Sequence, residues 1–135
     1  AISLAAGCLA HLSRKEALID ILVVGSDFHR LTLGRNLGFL DQGLDLLATV
    51  EKGGSIDPEY LKSRLEPLVG RLSALIFICL GLSQTHRNLS DWVNRRGVPT
   101  LRIQVRRDRA ADAEQRDDVK IVTADQVNGA KALYL

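Results

Sequence analysis

The residues of this sequence that could carry chemistry are few and scattered. His11, His29 and His86 stand far apart, with no Cys/His cluster at ligand spacing, so no zinc site is expected. A nucleophile elbow needs glycines on both sides of a serine, as G-x-S-x-G, and the run Gly81-Leu82-Ser83-Gln84-Thr85 supplies only the first. Cys79 sits inside an apolar run, where desolvation opposes the reactive thiolate. Asp41, Asp45 and Asp57 fall on helix surfaces or caps, positions that favour structural roles over acid–base work. Gly53-Gly54-Ser55 lacks both the strand-to-helix glycine fingerprint and a following Lys-Ser/Thr, which argues against a nucleotide cradle. No catalytic residue and no cofactor is assigned, and the chain is not expected to be an enzyme.

Binding chemistry remains. Open parallel sheets bind ligands beyond the carboxyl ends of their strands, which directs attention to the loops after Val24, Leu82 and Arg106. There Ser83, Gln84 and Thr85 open a helix whose free amides and positive dipole end favour an anion. Asp27, His86 and Arg107 are the polar residues of nearby loops. This defines an alternative reading, a small-ligand or anion-binding enzyme domain built on Ser83 to Thr85.

The elements that must position these residues follow from apolar spacing. Ile2, Ala5, Leu9 and Leu12 recur at helical intervals and predict an opening helix that ends near residues 13–16. Leu18 to Val24 is β-branched and nearly continuous, which predicts a strand covered on both faces. Gly25-Ser26-Asp27 is turn chemistry, and Phe28 to Leu33 alternates, predicting an antiparallel hairpin with a polar edge strand. Leu37, Leu40, Leu44, Leu47 and Val50 mark a second helix closed at Gly53 and Gly54. Asp57, Pro58 and Glu59 start a third, with Leu61, Leu65, Leu68 and Leu72 inward and Pro67 expected to kink or shorten it.

Ala74 to Leu82 is the most apolar stretch and predicts a central strand. Ser83 or Thr85 caps the next helix, which carries Leu89, Trp92 and Val93 inward and stops at Gly97 before Pro99. Leu101, Ile103 and Val105 alternate with Arg102, Gln104 and Arg106, predicting a half-exposed strand near a sheet edge. Residues 107–118 are charged and free of aromatics, as in a flexible surface linker, and Val119 to Val122 predicts a last strand. Thr123 and Gln126 have capping-box spacing. Strands alternating with helices predict an α/β domain with a mainly parallel sheet.

The 135 residues suit one domain over 1–135, with an aliphatic core because aromatics are only 4%. Eighteen basic and 16 acidic side chains are interspersed for a net charge of +2, so no single-sign field attracts nucleic acid or membrane headgroups. Cys8 and Cys79 in apolar runs predict buried thiols in a reducing compartment. The chain carries no methionine and opens directly on a helical pattern, which predicts processing or amino-terminal truncation. The stretch up to Cys8 lacks the basic region of a lipoprotein signal, and no apolar run reaches the roughly 18 residues of a membrane span.

The consecutive blocks SLAAGCLAHL, ALIDILVVGSDFHRLTLGRN, LDLLATVEKGGSIDPEYLKSRLEPL, ALIFICLGLS and GVPTLRIQV resemble a von Willebrand factor type A-like domain. The nearest resemblance is to bacterial proteins carrying the domain of unknown function numbered fifty-eight, found beside MoxR-type ATPases. It implies a Rossmann-like three-layer fold with one antiparallel edge hairpin, and a role as a protein-binding scaffold partnering such an ATPase. It also implies a cytoplasmic location, alone or as the cytoplasmic part of a membrane-anchored parent.

Type A domains hold a divalent metal through an Asp-x-Ser-x-Ser loop after the first strand, a threonine in a second loop and an aspartate after the fourth strand. Here the first strand and its loop are missing, Ser55 stands near the threonine position, and Leu80 stands where the aspartate is expected. One hydroxyl cannot replace several hard oxygen ligands, so the metal site is degenerate and interaction is expected to be metal-independent. The loop residues left for a ligand or partner are Ser26, Asp27, Ser55, Ser83, Gln84 and Thr85. A missing central strand would expose strand edges, from which a homodimer or strand exchange is expected.

Overall fold

The structure is a computed structural model describing residues 1–15, 18–24, 27–34, 39–51, 53, 57–81, 83–107, 119–123 and 125–126. The chain divides into two compact units, Ile2–Ile56 and Asp57–Leu135.

The first unit runs α1 (Ile2–Ser13), β1 (Ile19–Val24), β2 (Phe28–Leu33) and α2 (Leu40–Ala48). β1 and β2 form the expected antiparallel hairpin, with Ile19 opposite Leu33 and Val24 opposite Phe28. Alternation puts Ile19, Ile21 and Val23 on one face, and there they meet the apolar sides of both helices in a core centred on Leu9, Val23, Leu33 and Leu47. Gly43 lets α2 settle against the hairpin. A Cβ there would stand 2.5 Å from Leu9 Cδ2 and 3.0 Å from Leu33 Cδ1.

These helices cover one face of β1, while Asp20 and Leu22 on the other are half-buried. The other face bears Asp20, which accepts from Arg30 Nη2 at 3.2 Å and from the Thr32 hydroxyl directly across the hairpin, while Val24 at its end is exposed. α2 also stops short of Gly53. At Thr49 the side chain donates to the Leu46 carbonyl at 2.8 Å, and a hydroxyl that competes for helix carbonyls next to β-branched Val50 favours an early end.

The second unit runs α3 (Pro58–Val69), β3 (Leu75–Cys79), α4 (Gln84–Asn94), β4 (Thr100–Arg106) and β5 (Val119–Thr123). Asp57 caps α3 as expected, its carboxylate accepting from the Glu59 amide at 3.1 Å. α3 runs through Pro67 and ends at Val69, short of the Leu72 expected on its inward face. The carbonyl that Pro67 leaves without a donor belongs to exposed Ser63, within reach of water. Leu61, Leu65, Leu68 and Val69 are buried, while Leu72, lying beyond the helix end, is only half-buried.

β3, β4 and β5 form a parallel three-stranded sheet in that order. Among the described residues β4 is thus the middle strand and β3 an edge, the reverse of the sequence expectation. The Arg102 and Gln104 side chains that suggested solvent find local partners. Arg102 Nη1 stands 3.3 Å from Asp91 Oδ1 on α4, and Gln104 accepts from Arg106 at 3.0 Å. On the opposite face of the same strand Ile103 and Val105 are buried. Gly97 closes the turn after α4 with a left-handed φ of 85°, which a residue with a Cβ disfavours. Trp92, expected inward, is half-buried, with the Arg96 guanidinium stacked 3.9 Å over its ring.

Candidate functional site

Parallel pairing aligns the carboxyl ends of β3 and β4, and the loop leaving β3 carries Leu80, Gly81 and the start of α4. Ser83 is the N-cap, and Thr85 lies within the first turn of the helix. The cap is reciprocal. Ser83 Oγ accepts from the His86 amide at 3.4 Å, and the Ser83 amide donates to His86 Nδ1 at 3.2 Å. This is a capping box with histidine in the position usually held by Glu or Gln. The His86 ring also lies 5.6 Å from that of Phe77 on β3, which ties the first turn of α4 to the sheet. Gln84 is exposed and donates to Asn88 Oδ1 at 2.9 Å, along the helix surface.

The structure therefore brings Leu80, Ser83, Gln84 and Thr85 into one loop and helix start, with Ser83 engaged in an internal cap. An anion approaching that end meets two amides already committed to side chains of the helix itself. Asp27 is exposed at the start of β2 in the other unit. Ser26 and Ser55 lie outside the described residues, as does 108–118 of the expected linker.

Leu80, at the position where the resemblance implies an aspartate, is 63% exposed and offers no oxygen ligand. Among the described residues, no group of three or more His, Cys, Asp or Glu side chains is placed to hold a metal ion. Cys79 is buried, its thiol pointing to the Ile103 carbonyl at 3.8 Å, and burial raises its pKa. A desolvated thiol of this kind is a poor nucleophile.

Beside this loop lies a surface of which the sequence suggested an open strand edge but not the exposed side chains. Among the described residues β3 has one hydrogen-bonded strand neighbour, β4, and its segment Leu75-Ile76-Phe77-Ile78-Cys79 carries no charge. Ile76 is exposed, and Leu101, its register partner on β4, is exposed on the same face. Leu80, just beyond the end of β3, is exposed as well, while farther along the face that bears Leu101 the side chains of Ile103 and Val105 are buried. The signal in the sequence was the absence of any Lys, Glu or Pro between Ala74 and Leu82.

These features define a mixed α/β protein with a three-stranded parallel sheet and a two-stranded antiparallel hairpin. No family model matches the chain, and neither the curated proteins nor the solved structures contain a match to it. Among the described residues, no helix is long and apolar enough to cross a membrane.

Proposed function

We propose that this chain is a protein–protein interaction module of the von Willebrand factor type A-like class, binding without catalysis and without a metal, and that a MoxR-type ATPase is its partner. One observation carries the proposal: among the described residues β3 is paired on one side only and carries no charge, and Ile76 on it and Leu80 just after it are exposed. Sheet edges left open to solvent are ordinarily blunted by charge, proline or a bulge, because their unpaired amides and carbonyls pair with any extended chain. The far edge of the same sheet follows that rule with Lys120 on β5, and the hairpin does so with His29 and Arg30 on β2. β3 does not, which suits it to accept an extended apolar segment, backbone bonds supplying affinity and the exposed side chains specificity.

The test is calorimetric titration of the purified protein with the ATPase in the presence of nucleotide, alongside Ile76→Lys and Leu80→Lys. The expected result is saturable binding that each lysine weakens at least tenfold at an unchanged melting temperature. Absence of binding overturns the ATPase assignment. Binding that both lysines leave intact overturns the β3 surface. Sedimentation of the chain alone adds a further outcome, since a dimer dissolved by Ile76→Lys would make a second copy the occupant in place of the ATPase.

A further inference from the structure

We draw no further inference here: the strongest candidate, the uncharged outer edge of β3 with the exposed Ile76, Leu80 and Leu101 beside it, belongs to the surface already described and nothing in the structure shows what covers it.

Discussion

The Ser83 amide donates to His86 Nδ1 while the His86 amide donates back to Ser83 Oγ, so each residue of this pair caps the other at the start of α4. An N-cap serine satisfies a helix amide that otherwise has no partner inside the helix, and its loss typically costs about 1 kcal/mol. Ser83→Ala should lower the urea midpoint accordingly with an unchanged slope. His86→Ala should cost less, about 0.5 kcal/mol, because water reaches the exposed Ser83 amide. His86→Glu restores an acceptor at the usual capping-box position and adds a negative charge near the helix start, so it should be at least as stable as the parent. A His86→Glu variant as far below the parent as His86→Ala would show that the ring contact with Phe77, which both variants lose, matters here and the cap acceptor does not.

Gly43 and Gly7 both lie inside helices of the first unit, and replacing each with alanine should have opposite effects. Alanine is favoured over glycine in a helix interior by about 1 kcal/mol. At Gly7 a Cβ meets nothing within 4 Å, so Gly7→Ala should stabilise by most of that amount. At Gly43 the Cβ would strike Leu9, Leu33 and Ile21, and both Leu9 and Leu33 are buried with little room to move. Overpacking of this kind costs about 1–3 kcal/mol, enough to cancel the helical gain, so Gly43→Ala should destabilise. Chemical denaturation of the two variants decides it, and a stabilised Gly43→Ala would mean that α2 does not seat against the hairpin as described.

The contrast between these two positions also shows what could be read from the sequence. Helices α1 and α3, the hairpin, the Asp57 cap and the reciprocal Thr123–Gln126 bonds at 2.9 and 3.3 Å were all legible, because each is set by spacing within a few residues. Strand order was not. The alternation of Arg102 and Gln104 with Ile103 reads as a solvent face, and only the placement of Asp91 and Arg106 beside them shows why β4 can sit in the middle of the sheet. At the candidate site Ser83 was legible as a cap. His86 was not, because histidine seldom occupies the third helical position of a capping box, and its role depends on a ring nitrogen facing an amide.

Cys79 is predicted to be unreactive in the folded protein. Burial raises its pKa, so the folded state favours the neutral thiol more than the unfolded chain does. The corresponding stability is fully present below the ordinary thiol range and is lost as pH rises through and beyond it. Alkylation by iodoacetamide at pH 8, followed by peptide mass spectrometry, should modify Cys79 at least tenfold more slowly in native buffer than in urea. Half-buried Cys8 on α1 provides the internal comparison and should react sooner. Equal native rates at the two positions would place Cys79 outside the core.

Metal independence makes the last prediction, that Mg²⁺ and Mn²⁺ leave the melting temperature unchanged up to about 10 mM. A cation that binds only the folded state stabilises it in proportion to the logarithm of its excess over Kd, about 2.7 kcal/mol at a hundredfold excess. For a domain of this size that is a rise of several degrees, easily read by calorimetry. The argument against such a rise is chemical. Hard cations need several oxygen ligands, and Leu80 offers only an exposed apolar side chain. A saturable upward shift would overturn metal independence, since oxygen donors must then converge elsewhere in the chain. An unchanged melting temperature, with binding lost on Ile76→Lys, would leave recognition to the apolar edge of β3.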